Sequence, residues 1–179
     1  IPGLLTMRPA DANEVVVAWQ VAMESSTRPV ALALSRQALP TIDRTQYGAA
    51  DGLRKGGYVV ADMADPQLIL IATGGELHLA MSAHETLRKE NIASRVVSLP
   101  CWELFEEQPQ QYRDSVLPPA ITRRVAIEAG SPIGWELYAC AQGTILAMHC
   151  FCASAPYQDL MRKFGFTEAA VLAAARARL

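Results

Sequence analysis

Five consecutive apolar residues, Leu68–Ala72, run directly into a glycine turn and then into an amphipathic helical pattern that reaches about Lys89. A continuous apolar run of this length is typical of a strand buried on both faces, as in parallel sheets. Parallel strands need a crossover connection, which the helix supplies. Further strand patterns lie at 57–61, 95–99, 124–128 and 144–148. The chain is therefore predicted to be α/β, with a mostly parallel sheet and helices on both faces.

The first 40 residues carry one helix and one strand. Asp11 and Glu14 match a capping box, in which Asp11 accepts a hydrogen bond from a first-turn N–H group and Glu14 reaches back. The helix is predicted to run to about Ser25 and to be followed by a strand at 30–34. Its main apolar face consists of Val15, Val16, Trp19, Ala22 and Met23. Because its other sides are also largely apolar, the helix is expected to be buried on several faces.

Length and composition suggest the domain organisation. A chain of 179 residues suits one full domain and part of another. Residues 1–40 look like the end of a domain, and the polar, irregular residues 41–55 are predicted to form a linker. Residues 56–179 are predicted to form a complete C-terminal domain, closed by a helix that Thr167 caps.

Charge and hydropathy argue against several classes of function. The formal net charge is −2 and no run of Lys or Arg exceeds two residues, which argues against a nucleic-acid or membrane-surface partner. No apolar stretch reaches the ~20 residues that span a bilayer, and the start has no signal-peptide pattern. Since the chain lacks an initiator Met, it is expected to begin within a longer protein.

Four cysteines, Cys101, Cys140, Cys150 and Cys152, follow neither a disulfide framework nor a zinc-finger spacing. Cys150 and Cys152 with His149 offer only three ligands, whereas a tetrahedral metal site usually needs four. We therefore predict no metal site and expect small buried thiols in a reducing cytosol.

The other polar candidates are a turn and two histidines. The Thr73–Glu76 turn opens a helix after a buried strand, a place suited to an anion. Because Glu76 itself would repel a phosphate, a plain strand–helix turn is favoured. His84 lies on the apolar face of that helix and is expected to pack in the core, whereas His78 is expected to be solvated. Neither has the partner or the spacing of a catalytic or zinc-binding histidine.

Two residues have a possible functional role. Arg36 directly follows a buried strand, at the carboxyl end where α/β proteins bind ligands. A guanidinium there can bind a phosphate through two parallel hydrogen bonds, and a structural salt bridge is an equal alternative. Asp11 can act as a helix cap or as the acceptor of a substrate hydroxyl, and its residue type leaves both roles open.

Nine segments, in this order along the chain, resemble one enzyme family. They are Ile1–Leu4, Arg8–Glu14, Leu34–Pro40, Ala72–Glu76, Arg95–Pro100, Ser115–Pro118, Val125–Gly130, Ala153–Pro156 and Phe164–Thr167. Their content and order are similar to those of transketolases over essentially the whole chain. The second and third segments also separate this family from deoxyxylulose-phosphate synthase and the pyruvate dehydrogenase β subunit.

The resemblance implies a cytoplasmic homodimer that transfers two-carbon ketol units between sugar phosphates, with thiamine diphosphate and Mg²⁺ (or Ca²⁺) as cofactors. This chain would hold the end of the pyrimidine-binding domain and the Rossmann-like C-terminal domain. In the family, the aspartate matching Asp11 contacts the C2 hydroxyl of the donor, and the arginine matching Arg36 binds the substrate phosphate. The cofactor-binding segments and the activating glutamate lie upstream. No catalytic, cofactor-binding or metal-binding residue is therefore expected here, and the chain alone is expected to be inactive.

Three residues depart from the family pattern: Ala38 replaces Asn, Gly75 replaces Ser and Cys152 replaces Gly. If that Gly has a positive φ, Cys152 is strained. The alternatives to part of a transketolase are the small subunit of a split transketolase and a non-catalytic dimerisation or regulatory α/β module. A nucleotide-binding regulatory domain ranks last, because it rests on the glycine turn alone.

Overall fold

The computed structural model describes all residues, 1–179. The strands are β1 (Leu5–Met7), β2 (Val30–Leu32), β3 (Tyr58–Ala61), β4 (Leu68–Ala72), β5 (Ser94–Ser98), β6 (Arg124–Glu128) and β7 (Thr144–Ala147). The α-helices are α1 (Ala12–Glu24), α2 (Leu77–Lys89), α3 (Trp102–Glu106), α4 (Gln110–Val116), α5 (Glu136–Ala139), α6 (Tyr157–Lys163) and α7 (Glu168–Arg176). Short 3₁₀ helices lie at Ala50–Lys55 and Gly74–Glu76. None of the helices has the length and apolar character that crossing a membrane requires.

A five-stranded sheet in the order β3-β5-β4-β6-β7 forms the centre of the molecule. β4 pairs in parallel with β5 and β6, and β6 pairs in parallel with β7. β3 is an antiparallel edge strand beside β5. Every residue of β4 is fully buried. The predicted α/β architecture with a mostly parallel sheet is therefore confirmed.

Alternate residues of β4 face two different helical layers. Leu68 and Leu70 belong to the core that contains the buried side chains of α2 and α7. Ile69 and Ile71 belong to a second core, which contains Phe105 of α3 and the buried residues of α5. Because side chains alternate across a strand, one apolar run contributes to both cores. Helices accordingly cover both faces of the sheet.

The N-terminal residues form a smaller unit, in which β1 and β2 make a separate parallel pair. Leu5 and Met7 share a third core with α1 and with Leu53. Leu53 belongs to the 3₁₀ helix Ala50–Lys55 and is fully buried. The predicted linker, 41–55, thus ends in a short helix that packs against α1 through Ala50 and Leu53, whereas Ile42 belongs to the first core.

The predicted burial of the main apolar face of α1 is wrong. Val16, Trp19 and Met23 of α1 are 57, 52 and 81 % exposed. The buried side of the helix runs through Val17 and Ala18 instead. The reason is that α1 packs on one side only, against the small sheet, the 3₁₀ helix and, through Glu14, the central sheet. An apolar stripe therefore remains uncovered, which is typical of a surface that another element or chain covers.

Two of the elements that the sequence does not predict, β1 and α5, leave no pattern in it. β1 has three residues and α5 has four, which is too short for a periodicity to appear. α6 is not among the predicted helices, although Tyr157, Leu160 and Met161 recur at helical spacing and Met161 packs against the first core. These elements form because the surrounding sheet and cores position them.

The prediction of buried thiols is confirmed for Cys101 and wrong for Cys150 and Cys152, which are exposed. Both exposed cysteines follow β7 in a stretch without regular secondary structure. Cys152 does not have a positive φ, so the backbone strain considered for that position is absent.

Alkylation is expected to separate these thiols by rate. Burial raises the pKa of the Cys101 thiol to about 12. At pH 8 its thiolate fraction is therefore on the order of a thousandth of that of an ordinary thiol with a pKa of about 8.5. Iodoacetamide should modify Cys150 and Cys152 first, and Cys101 only after unfolding. Peptide mass spectrometry over time measures this, and equal rates at Cys101 and Cys152 would contradict it.

Replacing Cys140 with glycine is expected to stabilise the fold. Cys140 ends α5 with φ 62° and ψ 167°, a region that is essentially restricted to glycine and that costs other residues about 1–3 kcal/mol. Part of the gain is lost because glycine is more flexible in the unfolded chain. We expect Cys140→Gly to raise the free energy of unfolding by about 1 kcal/mol in chemical denaturation. Cys140→Ala, which keeps the Cβ atom, should give no such gain.

Candidate functional site

A cleft of about 270 Å³ lies where the chain leaves β1 and β2. Residues that follow β1 form one side, and residues that follow β2 form the other. The lining residues are Pro9, Asp11, Ala12, Val15, Leu34, Ser35, Gln37 and Leu39. The structure thus brings together the two segments that carry the predicted substrate contacts, Asp11 and Arg36. Both segments follow parallel strands, so they meet at the carboxyl edge, where α/β proteins bind ligands.

Arg36 lies at the rim of this cleft, between the lining residues Ser35 and Gln37, and its side chain is exposed. Arg8 and Arg44 are held by carboxylates, whereas the guanidinium of Arg36 has neither a hydrogen-bond partner nor an ion-pair partner within the chain. The structural salt bridge that the sequence also allows is not formed here. All five N–H donors of Arg36 are therefore available to a ligand.

Asp11 is the N-cap of α1, and its carboxylate is completely buried. The backbone N–H of Glu14 donates to Oδ1 over 2.9 Å, and that of Ile42 donates to Oδ2 over 2.9 Å. Nη2 of Arg44 lies 3.1 Å from each of the two oxygens. A carboxylate offers about four lone-pair positions, so the chain itself already supplies Asp11 with a full set of donors.

Glu14 connects α1 to the central sheet. Its carboxylate accepts hydrogen bonds of 2.7 Å each from the backbone N–H of Ala10, the hydroxyl of Tyr58 and the hydroxyl of Ser98. Tyr58 lies on β3 and Ser98 on β5, and Arg44 donates to the Tyr58 hydroxyl over 2.9 Å. Complete burial raises the pKa of Glu14, although these hydrogen bonds lower it. One buried network therefore fixes the floor of the cleft to the sheet.

Arg8 joins the residues after β1 to the carboxyl ends of β4 and β6, which are neighbours in the same sheet. Its Nη2 donates to Oε2 of Glu76 over 3.0 Å, and its Nη1 pairs with Glu128. Both carboxylates are buried, which raises the pKa of each, while Arg8 lowers it. Arg8 and Glu128 also line a second, open cavity of about 460 Å³. The 73–76 turn thus holds an internal ion pair.

The two histidines differ in how well the sequence predicts them. His84 is buried, with Nδ1 2.8 Å from the Ser94 hydroxyl, and its predicted core position is confirmed. Burial lowers its pKa. The predicted solvation of His78 is wrong, because the ring is half-buried and Nε2 lies 3.1 Å from the Ala10 carbonyl oxygen. Neither histidine lies in a group of three or more potential metal ligands.

Arg8, Arg44 and Tyr58 organise the site, and the sequence assigns them no role. Their contacts span long separations: 33 residues between Arg44 and Asp11, and 44 between Tyr58 and Glu14. No spacing motif encodes such pairs, since only the fold brings them together. The one available signal for Arg8 is its place in the same family-like segment as Asp11.

Known proteins are similar to this chain over its whole length. A family described as the transketolase-like TK C-terminal domain matches residues 56–167. The chain is 49% identical over 169 residues to a transketolase of Geobacillus stearothermophilus, an alignment that covers 93% of this chain and 25% of that protein. The chain thus spans about a quarter of the length of the curated relatives it matches.

Solved structures show the same similarity in three dimensions. Transketolase from Leishmania mexicana superposes with a TM-score of 0.91 at 40% identity, covering 98% of this chain and 25% of that one. A transketolase of Pichia stipitis in complex with sedoheptulose-7-phosphate gives a TM-score of 0.89 at 33% identity. That alignment covers 99% of this chain and 25% of the other.

Proposed function

Because this chain belongs to the transketolase-like C-terminal domain family, we propose that it is the C-terminal part of a thiamine-diphosphate-dependent transketolase. The whole protein would transfer two-carbon ketol units between sugar phosphates, as a homodimer in the cytoplasm. The uncovered apolar stripe of α1 supports a larger assembly, since a stripe of this kind fits a neighbouring element or chain.

The observation that carries this proposal is the uncommitted guanidinium of Arg36 at the rim of the cleft. A guanidinium can hold a phosphate through two parallel hydrogen bonds, which fixes both the distance and the orientation of the sugar. Other polar groups lie beside it, since Ser35 and Gln37 line the same cleft. The Pichia stipitis transketolase is described in complex with a sugar phosphate, which is the ligand class we propose for Arg36.

Asp11 is the proposed contact of a hydroxyl group of the sugar substrate. Asp11 is one of the residues that line the cleft, but its carboxylate has no exposed surface and already accepts four hydrogen bonds. A substrate hydroxyl can therefore bond to Asp11 only by sharing an oxygen that Arg44 also holds. Arg44 would in that case fix the orientation of the carboxylate, because its Nη2 lies 3.1 Å from both oxygens.

Thiamine diphosphate, when bound, supplies the carbanion chemistry of the reaction. The residues of this chain do not fit such a group and its Mg²⁺ or Ca²⁺ ion by themselves, because no three His, Cys, Asp or Glu side chains converge to form a metal site. We propose that the cofactor is held by the remainder of the full-length protein. This chain would contribute the binding and orientation of the sugar phosphate.

The experiment is a ketol-transfer assay with xylulose 5-phosphate as donor, thiamine diphosphate and Mg²⁺ added. The full-length protein that contains this chain is expected to be active, and the 179-residue chain alone is expected to show no turnover. An inactive, correctly folded full-length protein would contradict the proposed activity. Turnover by the isolated chain would contradict the division of roles.

A further inference from the structure

The structure assigns a guanidinium-binding site to the crevice between β4 and β6, and its occupant in this chain is the side chain of Arg8. This site is separate from the cleft at Asp11 and Arg36. It explains how the residues after β1 are anchored to the C-terminal sheet, and it does not depend on the proposed catalytic function.

The location is where a parallel sheet normally binds a ligand. The connection after β4 leads to β5 on one side, whereas the connection after β6 leads to β7 on the other. Adjacent strands whose connections diverge leave a crevice beyond their carboxyl ends. Thr73, which follows β4, and Glu128, which ends β6, both line the cavity at this point.

The crevice is filled from within the chain. Glu76 and Glu128 are 5 % and 6 % exposed, and each binds one arm of the Arg8 guanidinium. The Arg8 backbone is also fixed, because its N–H donates to the Pro100 carbonyl over 2.9 Å and its carbonyl accepts from the Gly74 N–H over 2.9 Å. Arg8 is therefore held at four points, by residues that follow β4 and β5 and by the last residue of β6.

The geometry favours a guanidinium over other cations. One carboxylate belongs to the 3₁₀ helix after β4 and the other to the last residue of β6, and they approach two different nitrogens, Nη2 and Nη1. A planar fork can satisfy both, whereas an ammonium group presents a single point charge. Gly74 adopts φ +58°, and a Cβ atom there would lie 3.2 Å from Nη2 of Arg8, so glycine leaves the room that the fork needs.

The charge of the crevice excludes an anion. Two buried carboxylates face one guanidinium, so the site is already negative with Arg8 in place. Without Arg8, two neighbouring buried carboxylates would lack a counter-charge, which is strongly unfavourable. A nucleotide phosphate, the usual ligand at a switch point of this kind, would be repelled.

The site anchors the proposed substrate cleft. Only Pro9 and Ala10 separate Arg8 from Asp11, and the N–H of Ala10 bonds to Glu14. Loss of the anchor is therefore expected to loosen the N-terminus of α1 as well as the crevice. Hydrogen exchange of the Ala10 and Glu14 amides provides a readout of this effect that needs no activity.

The test is chemical rescue of Arg8→Ala. The 30 % exposure of the Arg8 side chain and the adjoining cavity of about 460 Å³ give a small cation a path into the emptied site. We expect Arg8→Ala to lower Tm by roughly 10 °C. Methylguanidinium at about 20 mM, where its denaturing action is small, should restore about 5 °C, as expected for a Kd of about 1 mM. Exchange at Ala10 and Glu14 should slow again in parallel.

Three controls make the outcome decisive. Arg28→Ala removes an arginine of similar exposure whose partner, Glu107, is 52 % exposed, and it should show no rescue. Methylammonium and NaCl at the same concentration should restore less than methylguanidinium does. Glu128→Gln in the Arg8→Ala background should raise the methylguanidinium concentration needed for the same rescue at least tenfold.

Rescue that is absent, or that is equal for methylguanidinium and methylammonium, would overturn the proposal. If Arg8→Ala is unfolded at 25 °C, the same titration is followed as refolding by circular dichroism. Failure to refold with methylguanidinium would count against the site in the same way.

Discussion

Arg44→Ala is expected to lower the free energy of unfolding by about 3–5 kcal/mol, because it leaves a buried carboxylate without its counter-charge. The Asp11 side chain has no exposed surface, and that of Arg44 is only 15 % exposed. Two backbone N–H donors to Asp11 would remain, but the charge would be uncompensated. The Tyr58 hydroxyl and the Gly48 carbonyl would each lose a donor as well.

Urea denaturation followed by circular dichroism measures this loss. Arg54→Ala is the matched control, since Arg54 pairs with Glu24 and Asp51 at the surface, where both carboxylates are more than 60 % exposed. Exposed pairs contribute about 0–1 kcal/mol. The loss of unfolding free energy should therefore be several-fold larger in Arg44→Ala than in Arg54→Ala. Equal losses would show that the Asp11–Arg44 pair does not hold α1 to the sheet.

Arg36→Ala, made in the full-length protein, is expected to lower kcat/KM for xylulose 5-phosphate by a factor of about 10²–10³. Each charge-assisted hydrogen bond contributes about 1.5–3 kcal/mol, and a guanidinium can form two with one phosphate. The fold should be unaffected, because the Arg36 side chain is exposed and has no partner within the chain. The loss should be specific to phosphorylated sugars, since only they carry the group that Arg36 is proposed to bind.

Steady-state kinetics with xylulose 5-phosphate and with unphosphorylated xylulose separates these effects. The ratio of kcat/KM for xylulose 5-phosphate to kcat/KM for xylulose should fall strongly in Arg36→Ala. It should fall less in Arg36→Lys, which keeps the charge but loses the planar fork of donors. Arg123→Ala is the control, because Arg123 is also exposed but precedes β6 at the opposite edge of the sheet. An equal loss for both sugars in Arg36→Ala would mean that Arg36 does not contact the phosphate.

The elements that the sequence predicts best are those whose own residues determine them. β4 and β6 match their predicted bounds because short apolar runs between polar residues leave no other conformation that buries them. Asp11 caps α1 as predicted, because the cap depends on residues only three positions apart. Thr167 caps α7 for the same local reason.

Burial and contacts across the fold are less predictable. The exposure of Trp19 depends on what lies against α1, and the helical pattern is the same whether or not that side is covered. Arg8 reaches Glu76 and Glu128 across 68 and 120 residues, so no local pattern can indicate the pair. Such contacts follow from the strand order, which places the ends of β4 and β6 side by side.

In the candidate site too, the sequence indicates some features and only the fold shows the others. Residue types alone identify Arg36 and Asp11 as candidates but leave each with a structural alternative. The fold shows the Arg36 guanidinium free and the Asp11 carboxylate occupied. The two residues therefore differ in the role they can take, with Arg36 available to an anion and Asp11 available only through a bond shared with Arg44.

A crystal structure of the full-length protein with bound sugar phosphate tests the central proposal most directly. The measured quantity is the distance between the phosphate oxygens and the guanidinium nitrogens of Arg36. We predict two contacts of about 2.7–2.9 Å, as in a bidentate pair, with the sugar extending into the cleft beside Asp11. A sugar phosphate bound elsewhere, with Arg36 still exposed and unpartnered, would contradict the proposed role of this chain.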